Sequence, residues 1–138
     1  MKTCTRSLEF DSAHRVCRHE SKCRNLHGHR YRVELTCGTQ SLDDIGRVID
    51  FGVIKQICGG WLDDHWDHGT ILCVEDVDLI QFCRDKGWKV YVLPDNPTAE
   101  VMAEYLLKLF SNMLKTKGVI LLRVVVFETP NCWAEVVR

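Results

Sequence analysis

Apolar and polar positions alternate across residues 4–10, with Leu8 and Phe10 on one side and Ser7 and Glu9 on the other. A period of two marks a half-buried strand. Residues 27–37 alternate again: His27, His29, Tyr31, Val33, Leu35 and Cys37 share one parity, and Arg30, Arg32, Glu34 and Thr36 share the other. After Asp50, a suitable cap, the period changes: Phe51, Ile54, Ile57, Cys58 and Trp61 fall on one helical side, and Gly59-Gly60 reads as the stop. A second and longer helix opens at Asn96-Pro97-Thr98. Its stripe of Met102, Tyr105, Leu106, Leu109, Phe110 and Met113 keeps i, i+3, i+4 spacing, and Glu100 suits the positive end of the dipole. A β-branched run from Val119 to Phe127 and a short run from Cys132 to Val137 close the chain as two strands, and Lys89–Leu93 reads as another short one.

Strands on both sides of a pair of helices predict one α+β domain over residues 1–138, with an antiparallel sheet rather than βαβ winding. Helices cover one face of such a sheet, so the other face is expected to meet a second copy of the chain.

Composition narrows the function. Of 138 residues, 46% are hydrophobic and 27% charged, the balance of a soluble globular protein, and the formal net charge is -1. With no basic cluster longer than two residues, nucleic acid is not an expected partner. No stretch approaches the roughly 18 apolar residues that span a bilayer, so no membrane is expected either. The N-terminus, Met-Lys-Thr-Cys-Thr-Arg-Ser-Leu-Glu-Phe, has no apolar run behind its charge. The eight cysteines include no Cys-x-x-Cys pair, and Cys58 and Cys83 sit in apolar helical patterns. Reduced thiols and a cytoplasmic location are therefore expected.

His27-Gly28-His29 carries the strongest chemical signal. Residues two apart on a strand face the same way, about 6–7 Å apart, which suits two imidazoles meeting at one ion. His14 follows the first strand, which can pair with the second as a hairpin and bring it alongside. Three neutral histidines leave zinc an open fourth position, as catalytic sites require. A closed site from Cys17, Cys23, His27 and His29 is the rival, but its Cys-x5-Cys and His-x-His spacings lie outside the usual ranges. Cys23 lies four residues before His27, where a nearby dication would favour its thiolate. The segment 61–68 holds two Asp-His pairs, Asp64-His65 and Asp67-His68, either of which could serve as an acid/base group. Glu128 shares parity with Ile120, Leu122, Val124 and Val126, and so falls at the end of an apolar face.

These pieces together resemble the 6-pyruvoyl-tetrahydropterin synthase and 6-carboxytetrahydropterin synthase family. The matching segments are Phe10-x-x-Ala13-His14-Arg15, Cys23-x-x-x-His27-Gly28-His29 with Tyr31 and Val33, and Val48-Ile49-Asp50-Phe51. Asp67-His68, Pro97-Thr98-Ala99-Glu100 and Phe127-Glu128-Thr129 follow in the family's order. The resemblance implies the tunnelling fold (T-fold), an antiparallel four-stranded sheet with two main helices packed on one face. It implies a hexamer built as two trimers, with active sites between subunits. It makes His14, His27 and His29 the Zn²⁺ ligands and Cys23 the proton acceptor. Asp67 and His68 become the catalytic Asp-His pair, preferred to Asp64-His65 because Ile71-Leu72 follows at the family's spacing. Glu128 becomes the anchor of the pterin ring, and Thr98 part of the pterin pocket. Two departures stand out: Leu72 where many members have asparagine, and a long segment over residues 73–94.

The implied activity is that of a zinc-dependent lyase on a small-molecule pterin triphosphate, 7,8-dihydroneopterin triphosphate. Loss of acetaldehyde and triphosphate would give the 6-carboxytetrahydropterin that feeds 7-deazaguanine (queuosine-type) bases. Elimination of triphosphate alone would instead give the 6-pyruvoyl product with the same residues. A non-enzymatic structural-zinc module is the third reading. Arg15, Lys22 and Arg24 are candidates for the triphosphate.

Overall fold

Strands β1 (Lys2–His14) and β2 (His27–Thr39) pair antiparallel along their whole length, in a computed structural model that describes all 138 residues. The register sets Leu8 opposite Val33, Phe10 opposite Tyr31, Ser12 opposite His29 and His14 opposite His27. Paired residues of an antiparallel ladder share a face, so these eight side chains form one inward stripe. Phe10 and Tyr31 stack with ring centroids 5.1 Å apart. Gly28 lies where the two backbones run close: a Cβ there would sit 3.3 Å from the Ser12 carbonyl oxygen.

Two more strands extend the antiparallel sheet, β5 (Ile120–Thr129) beside β2 and β6 (Cys132–Val137) beside β5. On the other side of β1 the sheet grows in parallel fashion, through β3 (Gly69–Cys73) and β4 (Val90–Leu93). The order is β4-β3-β1-β2-β5-β6. The expected four antiparallel strands are thus the larger part of a six-stranded mixed sheet. The addition comes from the segment between residues 69 and 94, whose short strands are linked by a helix, α3 (Val77–Asp85). β4 is the short strand expected at Lys89–Leu93; the five residues of β3 carry too little alternation to read from the chain alone, and α3 is short and largely exposed.

The expected helix from Asp50 does not stop at Gly59-Gly60. Asp50 caps it by accepting from Gly52 N–H at 2.7 Å, and α1 (Phe51–Ile54) then runs through a π-helical turn (Lys55–Gly59) into α2 (Gly60–His65). Gly59 and Gly60 keep helical dihedrals. Gly59 is buried where β1 crosses the helix, and a Cβ on it would make ordinary contact with Leu8 at 3.4 Å. The glycine lies inside the helix and does not end it. The long helix α4 (Ala99–Leu114) begins as expected, with Thr98 as its cap.

One core lies between the sheet and these helices. Phe10, Tyr31, Val33, Leu35, Val124 and Val126 meet Ile54, Leu62, Trp66, Met102, Leu106 and Phe110 there, all essentially inaccessible to water. A bulge opposite Thr36/Cys37 shifts the parity of β5, so Leu121 faces inward and Ile120 is exposed. The uniform inward series from Ile120 to Glu128 therefore holds only beyond the bulge. The uncovered face carries ion pairs, Arg30 with Glu9 and Asp11, Arg32 with Glu34, and Arg123 with Glu135, beside the exposed apolar side chains of Trp133 and Val137. Arg32 also lies 3.8 Å over the Phe127 ring.

Candidate metal and substrate site

At the end of the β1–β2 hairpin, one ring nitrogen each of His14, His27 and His29 lies within 4.8 Å of the others. Facing register places His14 against His27, and the two-residue repeat adds His29 on the same side. His14 is 1% exposed, while His27 and His29 are partly open.

The surroundings fix which nitrogen is free. His14 Nδ1 lies 2.7 Å from the Pro97 carbonyl oxygen, and His27 Nδ1 lies 2.7 Å from that of Asn25. A carbonyl can only accept, so each Nδ1 carries the hydrogen and each Nε2 presents a bare lone pair. Those two Nε2 atoms face each other at 3.1 Å. His29 Nε2 is buried and has no partner. Burial lowers His14 to about 4 and is also the first cause of the lowered His29 value. A proton shared between the rings is therefore disfavoured near neutral pH. Two inward lone pairs and a third ring nitrogen without a partner suit a divalent cation bound by imidazole, and the two carbonyls are its outer support. No sulfur joins the group: Cys17 lies by Arg15, with Sγ 3.9 Å from Nη2, and burial pushes its thiol up. The four-ligand Cys17/Cys23 arrangement thus has no counterpart in the fold.

A cavity of about 210 Å³ includes Cys23, Thr98 and Glu128 in its lining. Cys23 stands in a 3₁₀ turn, Lys22–Arg24, half-buried. Glu128 follows the inward Val124 and Val126 on β5, with its Oε1 4.0 Å from His14 Nε2 and its side chain 26% exposed. The Thr98 hydroxyl accepts from Val101 N–H at 3.2 Å as the helix cap, which leaves its own hydrogen free. Tyr31 stands behind the histidines, its ring centroid 5.4 Å from that of His29; its hydroxyl is buried without a partner. Burial first, then the charges of Glu128 and Cys23, push the phenol up and keep it protonated.

Asp67 and His68 form the expected pair, with His68 Nδ1 2.8 Å from Asp67 Oδ2. Asp67 Oδ1 accepts from the Asp11 backbone N–H at 2.9 Å, and the carboxylate sits below its usual range because of these bonds, which outweigh burial. The neighbouring pair is different: His65 packs on Trp61, with centroids 4.7 Å apart, and Asp64 is exposed. His68 is 77% exposed and has a positive φ of 55°. A non-glycine residue held there is strained, a feature common at functional positions. It borders a shallow depression lined by Asp11, Ser12, Ala13, Gly28, His29 and Arg30. Its ring and the Asp67 carboxylate lie within 4.8 Å of the Asp11 carboxylate, which by strand alternation faces away from the side chains of His14, His27 and His29. The pair and the three histidines therefore lie on opposite faces of one hairpin.

Of the candidate triphosphate partners, Arg15 is engaged, with Nε 2.9 Å from Asp76 Oδ2, while Lys22 and Arg24 are exposed. Sequence reasoning missed the Pro97 and Asn25 carbonyls, because a backbone oxygen leaves no mark in a sequence. It also missed His19, Cys132 and Trp133, which join the cavity wall.

A family model described as 6-pyruvoyl tetrahydropterin synthase matches residues 3–138. The 6-carboxy-5,6,7,8-tetrahydropterin synthase of Rickettsia bellii is 42% identical over 138 residues, spanning 99% of this chain and 100% of that protein. Among solved structures, an uncharacterised protein of Wolinella succinogenes superposes with a TM-score of 0.87 at 23% identity, over 99% of this chain and 98% of the other. The 6-pyruvoyl tetrahydropterin synthase of Caenorhabditis elegans gives 0.73 at 20% identity, over 99% and 95%. These last two show a common fold.

Proposed function

The chain belongs to the 6-pyruvoyl tetrahydropterin synthase family, and from that premise we propose that it converts 7,8-dihydroneopterin triphosphate to 6-carboxytetrahydropterin, acetaldehyde and triphosphate. The product would serve 7-deazaguanine biosynthesis in the cytoplasm. Full-length likeness to relatives named for the carboxy product favours this over triphosphate elimination alone. The observation that carries the reading is the pair of bare Nε2 atoms 3.1 Å apart, beside a third orphaned imidazole and a cavity lined by a thiol and a carboxylate.

His14, His27 and His29 would hold Zn²⁺. Bound there, the ion would polarise a side-chain hydroxyl of the substrate as a Lewis acid. Glu128 accepts from the amino and ring N–H groups of the pterin, a two-point match that sets its orientation. Cys23, at the cavity wall, takes the carbon-bound proton as thiolate. The Thr98 hydroxyl borders the ring. Asp67 accepts the His68 Nδ1–H and leaves Nε2 as the proton-exchanging atom.

Because Asp67-His68 faces away from the histidines of its own chain, it acts in the site of another copy. A hexamer of two trimers would supply that arrangement, and the split site gives a reason for assembly.

The test is incubation of purified protein with dihydroneopterin triphosphate, together with metal analysis. One zinc per chain and release of acetaldehyde are expected. Pyruvoyl product without acetaldehyde would move the assignment to the elimination reaction, and no conversion by zinc-loaded protein would overturn it.

A further inference from the structure

The loop between His14 and Cys23 is tied down more firmly than a connection needs. Asn96 clamps it by accepting from Cys17 N–H at 2.8 Å and donating to the Cys17 carbonyl at 2.9 Å. Arg15 pairs with Asp76, and Arg18 with Glu75. Val16 N–H donates to the Cys23 carbonyl at 2.9 Å and closes the loop on itself. Within it, Ser21 N–H donates to His19 Nδ1 at 2.9 Å. That bond makes Nδ1 the acceptor, so the neutral ring carries its hydrogen on Nε2. His19, half-buried, lines the same cavity as Cys23, Thr98 and Glu128.

The charged groups of that cavity are Glu128 and Glu100, both acceptors. They suit the amino and N–H edge of a pterin, but the ring also has a carbonyl oxygen and bare ring nitrogens, which need donors when buried. Val101 N–H, at the start of α4, is already committed to Thr98 Oγ1. The uncommitted His19 Nε2–H supplies such a donor, in an orientation set by Ser21.

We propose that His19 is a pterin-recognition residue, whose Nε2–H donates to an acceptor atom of the bound ring. This rests on the functional reading above. It differs from the roles of Cys23 and Glu128 in that His19 holds the ring and moves no proton.

Two substitutions separate donor from loop support. The amide of asparagine reaches the position of Nδ1, so His19→Asn keeps an acceptor for Ser21 and loses the distal donor. The amide of glutamine reaches the position of Nε2, so His19→Gln restores the donor. Loss of one neutral hydrogen bond to a buried acceptor should raise KM for dihydroneopterin triphosphate about tenfold in His19→Asn, with kcat changed far less. Binding of neopterin, followed by its fluorescence, should weaken by a similar factor. His19→Gln should come back to within about threefold of wild type on the same scale, and all three proteins should hold equal zinc and melt alike.

An unchanged KM in His19→Asn, with wild type active, overturns the proposal and leaves the functional reading intact. Impairment of His19→Gln with a normal His19→Asn also overturns it, since the loop bond would then be what matters. If wild type itself neither binds neopterin nor turns over the triphosphate, both readings fall together.

Discussion

The three histidines and the Asp67-His68 pair occupy opposite faces of the same hairpin and are built in opposite ways. The histidines are finished within one chain. Their register is set by thirteen consecutive pairings of β1 with β2, two tautomers are held by backbone carbonyls, and burial disfavours the charged form of His14 and His29. The Asp-His pair has a fixed carboxylate and an open ring. Asp67 is bonded to the Asp11 backbone and to His68, yet His68 stands in solvent with a strained φ beside a shallow, open depression. A metal site must desolvate its ligands before the ion arrives, whereas an acid/base group that completes a site between chains must stay reachable until they meet.

Removing one inner ligand should have the largest effect. His27→Ala is expected to lose its metal, measured by elemental analysis, and to lose about 10³-fold or more in turnover. Cys23→Ala should lose turnover to a similar degree while keeping the metal. If it loses metal too, the inner region is not the all-histidine site described here.

Mixing tests the outer region. His27→Ala and His68→Ala proteins, each inactive alone, should regain about a quarter of wild-type activity when dissociated and reassembled one to one, because a random quarter of sites would draw both intact halves from different chains. No recovery would place both halves in one chain and remove the contrast between the faces.

Between pH 6.5 and 4, acid acts on the inner region. Burial lowers His14 to about 4 in the folded protein against 6.5 unfolded, so below 6.5 the unfolded chain binds more protons. Metal-free protein should keep this stability above pH 6.5 and lose it, by up to about 3 kcal/mol, as pH falls toward 4. Denaturant unfolding of the chelated protein at several pH values checks this, and His14→Phe should flatten the curve.

The smallest effect is expected behind the histidines. Tyr31→Phe removes a buried hydroxyl that has no partner, so stability should change by no more than about 0.5 kcal/mol, in either direction. A loss well beyond that in a melting experiment would reveal a bond to the hydroxyl.

Much of this protein can be read along its chain, where local patterns decide the outcome. The parity of His27, His29, Tyr31 and Val33 already placed them on one face, because a strand reverses its side chains at every residue. Thr98 capping α4, and Asp50 starting the first helix, follow from side-chain chemistry that acts within a few residues. The ordered motifs pointed to the family before any geometry was available. What tertiary structure decided were relations that no local pattern encodes. Gly59 reads as a stop but packs under Leu8, and a bulge in β5 turns Ile120 outward. The short strand β3 joins the sheet on the edge that β1 offers, and β4 on the edge of β3. Which imidazole nitrogen is bare depends on the carbonyls of Pro97 and Asn25, one of them 83 residues away from its histidine. The facing of Asp67-His68 away from the histidines depends on how the chain crosses β1. Sequence sets the chemistry and periodicity of each segment; only packing sets which distant groups share a face, since that choice is made by burial and hydrogen-bond satisfaction across the whole chain.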